Sequence, residues 1–251
     1  MKTYIKRQIL LKVIMKLLLI TIVVLTIVFT NIGCDILVTR YEEEQKEEEE
    51  LADIDFQEII DLPVPKIKSE MSLEEAIITR RSIRSFDGKE LNLEQISQIL
   101  WAAQGITDER GHRAAPSAGA LYPLKIYVVK KDGIYHYIPE GHKIEMILKG
   151  DARKKLSDVC LGQKWVEDAP IDIIITGIYK RTTIKYGDRG IRYVYLEAGT
   201  ACQNILLQAV SLGLGAVPVG AFHDNQIQEV LNLEKEEIPL FVIPIGYEKQ
   251  Q

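Results

Sequence analysis

Apolar positions along this chain follow three patterns, and each predicts a different element. Helical spacing comes early in the body. In "MSLEEAIITRRS" (71–82), Ser72 stands as an N-cap with Glu75 three residues later, a pairing that satisfies free amides at a helix start. In "LNLEQISQILWAAQGI" (91–106), Ile96, Ile99, Leu100 and Ala103 share one helical face, and Asn92 and Gln95 form a second cap pair. Strand patterning follows. "LKIYVVKKDGIYHYI" (124–138) predicts a β-hairpin turning at Asp132-Gly133. "IDIIITGIY" (171–179) is a short unbroken apolar run, which suits a strand buried on both faces. Between them, "ARKKLSDVCLGQKWVEDA" (152–169) predicts a helix. "GIRYVYLEAGTACQNILLQAVSLGLG" (190–215) predicts a long helix, apolar on most sides, that stops at glycines. "GAVPV" (215–219) and "IPLFVIPIG" (238–246) read as two further short strands. "DNQIQEVLNL" (224–233) reads as a helix between them, capped by Asp224. The sum is an α+β domain: a central mixed or antiparallel β-sheet flanked by helices.

The third pattern is a run with no charge at all, from Leu17 to Cys34. It is about as long as the minimum needed to cross a hydrocarbon core. Lys12 and Lys16 can snorkel to the interface. Six basic residues in 1–41 face a single acid, Asp35, whereas 42–61 holds eleven acids against Lys46. Positive charge on the N-terminal side places the N-terminus in the cytoplasm and the body outside. The segment is therefore expected to be one N-terminal transmembrane helix. A lipoprotein modified at Cys34, in "TNIGC", a cleaved signal peptide and a buried helix are the alternatives. The organisation is a basic N-terminus (1–16), an anchor (17–38), an acidic linker (39–68) and a globular domain (69–251). The linker has room for a helix near Leu51–Ile60, ended by Pro63 and Pro65.

Charge and composition narrow the function. Residues 62–251 are electrically neutral, which gives no reason to expect nucleic acid as a partner. Cys34, Cys160 and Cys202 form neither a disulfide framework nor a ligand set, and the four histidines are scattered. No metal site is expected. Cys160 and Cys202 read as buried small hydrophobes. No glycine fingerprint for a Rossmann dinucleotide fold is present.

Three stretches carry candidate chemistry. "RRSIRSF" (80–86) sets Arg80, Arg81 and Arg84 beside Ser82, and guanidinium groups grip a phosphate bidentately. A solvated basic helix end would look the same. "PSAGALYP" (116–123) is nearly bare backbone. At Pro116, Ser117, Ala118, Gly119 and Ala120 a planar ring can lie close to the chain and meet its N–H groups, although a plain loop before a strand is the simpler account. "LGLGAVPVGAF" (212–222) runs from a helix end through a strand to a small-residue turn at Val219, Gly220 and Ala221.

In order and spacing, these three resemble the nitroreductase family of FMN flavoproteins. The form "PSAGALYPLKIYVV" is similar to the SagB-type branch, which includes McbC-like oxidases that turn thiazolines and oxazolines into aromatic rings. The resemblance spans about residues 70–247. It implies a sheet sandwiched by helices and a homodimer with FMN at the subunit interface. It implies phosphate and ribityl contacts at Arg80, Arg81, Ser82 and Arg84. A ring-side loop is implied at Pro116 to Ala120, and a loop near flavin N5 at Val219, Gly220 and Ala221. Lys249 matches a basic residue that closes on the phosphate. Lys185-Tyr186, in "IKYGDRGIRYVYLEAG" (184–199), matches a Lys-Tyr pair implicated in azoline oxidation; the simpler account is a surface lysine and a packing tyrosine. Either group can move a proton while hydride passes to the flavin. Three functions stay open. One is an NAD(P)H-driven reductase of nitro compounds, quinones or similar small acceptors. The second is a SagB-type dehydrogenase of a heterocycle or peptide. The third is a flavin-binding module without catalysis.

Overall fold

A computed structural model describes residues 15–16 and 58–250. The expected membrane segment (17–38), most of the acidic linker and Cys34 lie outside the described residues. Among the described residues, no helix is long and apolar enough to cross a membrane.

A seven-stranded sheet forms the centre of the body. Its strands are β1 (Ile59–Asp61), β2 (Leu124–Lys130), β3 (Gly133–Ile138), β4 (Lys143–Lys149), β5 (Ile171–Ile178), β6 (Gly215–Ala216) and β7 (Glu237–Gly246). They lie in the order β1-β4-β3-β2-β5-β7-β6, and every strand pairing is antiparallel. The helices are α1 (Leu73–Thr79), α2 (Leu93–Gln104), α3 (Arg153–Val159), α4 (Lys164–Asp168), α5 (Lys180–Tyr186), α6 (Arg189–Ser211) and α7 (Asp224–Leu231).

Strand alternation sorts the side chains into two cores. Ile126, Val128, Ile171, Ile173 and Ile175 point to the face covered by α2 and α6, where they meet Ile99, Leu100, Ala198 and Ile205. Tyr127, Val129, Ile174 and Val242 point to the other face, against Leu156, Val166, Ile227 and Leu231. β5 is buried along nearly its whole length, as its apolar run predicts. Cys202 belongs to the first core and Cys160 to the second, so the sheet separates them; both thiols are free and buried.

Both predicted capping boxes form. Ser72 Oγ accepts from the Glu75 amide at 3.1 Å, and Glu75 returns the bond at 2.7 Å. Asn92 and Gln95 do the same at 2.9 and 3.1 Å. α6 ends where Gly213 turns to φ +71°.

Other boundaries shift for identifiable reasons. The helix predicted over 152–169 is two helices, because Leu161 (φ +59°) and Gly162 (φ +70°) take the left-handed region between them. The hairpin turns at Lys131-Asp132, one residue early. Gly133 is already in β3, where a β-carbon would sit 2.6 Å from the Leu148 carbonyl. His223, rather than Asp224, holds the N-cap position of α7. β1 and β4 have no strand prediction behind them, and Ile59–Ile60 is strand rather than helix. The sheet thus begins inside the stretch read as linker. α5 is also a helix that the pattern does not announce: five of its seven residues are polar or charged.

Candidate active site

The chain assembles the candidate residues into two clusters. The first joins "RRSIRSF" to the third stretch. Ser82 forms a parallel bridge with Ala216, and the Ile83 amide donates to the Ala216 carbonyl at 3.1 Å. This approach requires Gly215, since a β-carbon there would lie 2.6 Å from the Ile83 side chain. Phe86 bridges Glu248, and the Lys249 amide donates to the Ser85 carbonyl at 3.0 Å. Lys249 therefore lies alongside the arginine-rich segment. Arg81, Ser82 and Arg84 are exposed, and Arg80 half-buried. Arg81 also fulfils the simpler reading: its Nη1 donates to the Ile78 and Arg80 carbonyls, closing the C-terminal end of α1. Arg84 lies 5.6 Å from the centre of the Trp165 ring. Val219 is buried and bridged to Val242, whereas Gly220 and Ala221 are exposed. A β-carbon on Gly220 would meet nothing within 4 Å among the described residues, so that backbone faces open space there. The Ala221 carbonyl accepts from Gln163 Nε2 at 2.9 Å, which fixes the turn.

The second cluster gathers around "PSAGALYP". Residues Ala118–Ala120 form one tight 3-10 turn, with Gly119 at φ +64°, Ala120 at +53° and Tyr122 at +45°. Positive φ at two non-glycine residues costs about 1–2 kcal/mol each and marks a backbone held for a purpose. Ser117 Oγ accepts from the Tyr122 amide at 2.9 Å and holds the loop in this shape. Lys185 and Tyr186 come from α5 to the same place. A β-carbon on Gly119 would lie 2.6 Å from Tyr186 Oη and 2.9 Å from Lys185 Nζ. The Tyr186 ring is steered by an edge-on contact with Tyr193, at 5.0 Å between centroids. Lys185 Nζ sits 5.4 Å from the centre of the Tyr186 ring. An exposed bare loop thus carries a phenol and an ammonium group against its glycine.

Below this loop lies a group to which the sequence assigns no role. Glu197 on α6 is only 3% exposed. Its Oε1 accepts from Gln104 Nε2 at 3.3 Å, and its Oε2 has no hydrogen-bond partner among the described residues. Burial pushes its pKa up to about 7, against the pull of the Ser117 hydroxyl, the Gln104 amide and Arg113. The pattern held one clue: Glu197 interrupts the buried stripe of α6 between Val194 and Ala201. Below pH 4.5 the carboxyl is protonated in both folded and unfolded chains, and its contribution to stability is complete. That contribution is lost as the pH rises through about 7. Asp172, fully buried with neither carboxylate oxygen hydrogen-bonded among the described residues, is also raised by burial and acts in the same direction. Glu197→Gln keeps a neutral group at all pH values. Its melting temperature is expected to fall less between pH 5 and pH 7.5 than that of the parent chain, as read by calorimetry; parallel curves would refute the assignment.

The arginine-rich segment and the bare turn lie at opposite ends of the central strands, and Val219, bridged to Val242, lies level with their middle. Leu124, which follows "PSAGALYP", pairs with Gly177, and Gly177 with Ile238. Lys130, at the other end of β2, is in register with Ile171 and then Ile245, which pairs with Ala216 beside Ser82. Seven residues of strand separate the two ends by about 20 Å.

Known proteins resemble this chain across most of its body. The Nitroreductase family model matches residues 77–247. A Methanocaldococcus jannaschii protein provisionally named a nitroreductase is 47% identical over 193 residues, spanning 74% of this chain and 96% of its own. The FMN reductase [NAD(P)H] of Bacillus subtilis is 28% identical, over 68% of this chain and 64% of its own. The Escherichia coli microcin B17-processing protein McbC is 24% identical, over 62% of each chain. A solved structure from Ralstonia eutropha, provisionally named a nitroreductase, aligns with a TM-score of 0.71 at 32% identity, covering 77% of this chain and 90% of that one. With a match across most of the body and the sheet architecture shared, this chain belongs to the nitroreductase family.

Proposed function

We propose that the protein is an FMN-dependent oxidoreductase, active as a homodimer, that draws hydride from NAD(P)H and passes it to a nitro compound, a quinone or a similar small acceptor. The observation that carries this reading is the gathering of the scattered motifs into two surfaces, one rich in arginine beside the exposed Gly220-Ala221 turn and one of nearly bare backbone. The residues fit the cofactor. Gly220 leaves open space where a side chain would stand, and Pro116, Gly119 and Ala120 are exposed. Arg80, Ser82 and Arg84, with Lys249 alongside, would hold the phosphate. The backbone at Pro116 to Ala120, and at Val219 to Ala221, would meet the ring. FMN supplies two-electron chemistry, taking up a hydride and releasing it in a ping-pong cycle. The chain's part is to bind, to orient and to move protons. Tyr186 Oη and Lys185 Nζ are the groups placed to give a proton to an acceptor beside the loop. The roughly 20 Å between the clusters supports the dimer: a partner's loop would complete the site beside the arginines.

The contact of Lys185 and Tyr186 with Gly119 also favours a second reading, a SagB-type dehydrogenase. There the same pair would take a proton from one ring carbon of a thiazoline or oxazoline while hydride leaves the neighbouring ring carbon, so that the new double bond forms inside the ring. We also propose that residues 17–38 anchor the chain in a membrane, with the domain outside. A domain facing outward would meet little NAD(P)H, so that placement favours the second reading.

The test is spectroscopic. The purified chain is expected to bind FMN, with the flavin absorbance bleaching on anaerobic addition of NADH or NADPH. A chain that stays colourless with FMN overturns the proposal. Bleaching only by a thiazoline or oxazoline compound selects the dehydrogenase. Bound FMN that no donor reduces leaves a binding module.

A further inference from the structure

A cavity of about 220 Å3 opens between the start of β2, the end of β3 and α5. Arg113, Lys125, His136 and Arg181 line it, together with Gln104 and Glu140. None of these residues is among the candidate site residues above, yet two of them, Arg113 and Arg181, hold the loop that carries Gly119. Arg113 stacks 4.5 Å from the centre of the Tyr122 ring, and Arg181 Nη1 donates to the Tyr122 carbonyl at 3.1 Å. We propose that this cavity binds the carboxylate of a small organic substrate, anchored by Arg113 and Arg181. The word substrate rests on the oxidoreductase reading; the binding site does not.

The charges fit a monoanion. Arg113, Lys125 and Arg181 bring three positive charges. Glu140 pairs with Arg113 at 3.1 Å, and Glu237, almost fully buried, pairs with Lys125 at 2.8 Å. The net around the cavity is one positive charge, with Glu140 kept in the sum after its displacement, and Glu197, which also feels Arg113, adds negative charge only as the pH passes about 7. Burial, then Lys125, lowers the pKa of His136, so near neutral pH its ring contributes one N–H donor and no charge. A phosphate dianion would overcompensate. Size points the same way, since drug-sized ligands occupy about 300–1,000 Å3 and this cavity admits a carboxylate on a short stem.

The geometry includes a stand-in. Glu140 is 67% exposed, and its carboxylate takes one Arg113 donor. An exposed pair of this kind is worth about 0–1 kcal/mol, so an incoming carboxylate can displace it. Arg113 spends one further donor on Gln104, and Arg181 spends one on Tyr122, which leaves both guanidiniums with N–H groups to offer. Arg181 stands four residues before Lys185 and so shares its face of α5, about 5–6 Å away. A carboxylate held at Arg181 would place the rest of the molecule beside Lys185, Tyr186 and the Gly119 turn.

The probe is 4-fluorobenzoate, followed by fluorine NMR with the full chain, FMN-loaded. Line broadening is expected, reversed by benzoate but not by neutral benzamide. Arg181→Gln should weaken binding about tenfold, the value of one charge-assisted hydrogen bond. Glu140→Gln should tighten it two- to fivefold, roughly the gain from removing a surface competitor. A purely structural role for the arginines predicts no such tightening. Benzamide competing as well as benzoate, or no response in either variant, overturns the proposal. Inorganic phosphate competing as well as benzoate overturns the monocarboxylate assignment. The same titration with FMN-free protein separates this proposal from the flavin reading. Probe binding in a chain that never takes up FMN leaves the pocket standing alone, and flavin bleaching without probe binding does the reverse.

Discussion

Tyr186→Phe and Lys185→Ala are each expected to cut turnover by about a hundredfold or more, while FMN occupancy stays within a factor of two. A positioned proton donor or acceptor contributes roughly 10²–10⁴ to a rate, and these two are the ionisable groups packed on the bare turn. Both converge on Gly119, at 2.6 and 2.9 Å from the position of its missing β-carbon. Phenylalanine keeps the edge-on packing against Tyr193 and removes only the hydroxyl, so a loss in that variant reports proton transfer rather than shape. Flavin absorbance per protein and the melting temperature serve as controls. Turnover unchanged in both variants would show a packing tyrosine and a surface lysine, the simpler of the two sequence readings.

The second large effect is on the scaffold. Gly190→Val is expected to cost about 2–3 kcal/mol, lowering the melting temperature by roughly 5–10 °C. Gly190 is where α5 rests on α6. A β-carbon there would lie 2.6 Å from the Thr183 nitrogen, 2.7 Å from the Thr182 carbonyl carbon and 2.8 Å from Thr183 Cα. These are backbone atoms and cannot rotate away. Thr182 Oγ1 donates to the Gly190 carbonyl at 3.1 Å, which locks the contact from the other side. By contrast, a β-carbon at Gly177 would meet side-chain rather than backbone atoms, those of Val194 and Leu240. Because α5 carries Arg181, Lys185 and Tyr186, displacing it should reduce turnover further than the stability loss alone would explain. A Gly190→Val chain that melts within 1–2 °C of the parent would show that α5 adjusts freely, and the placement of Lys185 and Tyr186 would lose its structural support.

The sheet order illustrates how much depends on distant partners. β5 is recognisable from its own residues, because a strand buried on both faces must be apolar throughout. β4 is not, since "KIEMILK" mixes charge and apolar residues and becomes a strand by pairing with β3 and β1. The break between α3 and α4 rests on a leucine at φ +59°, a conformation that no pattern in Leu161 announces. Glu197 is visible as an interruption of an apolar stripe, but its partners Gln104 and Ser117 lie more than 75 residues upstream.

What the sequence by itself determines is local. It specifies the two capping boxes, the long helix with its glycine stop and the buried central strand. It also specifies the bare turn and the arginine-rich segment whose order marks the family. Each depends on neighbours within a few residues, where propensity, capping and periodicity act directly. Only the tertiary structure decides what those segments face. It sets Lys185 and Tyr186 against Gly119, and it surrounds a small cavity with Arg113, Lys125 and Arg181. It also separates the arginine-rich segment from the bare turn by the length of a strand. These juxtapositions arise from sheet pairing and helix packing between residues tens of positions apart, and the chain encodes them only through the whole fold.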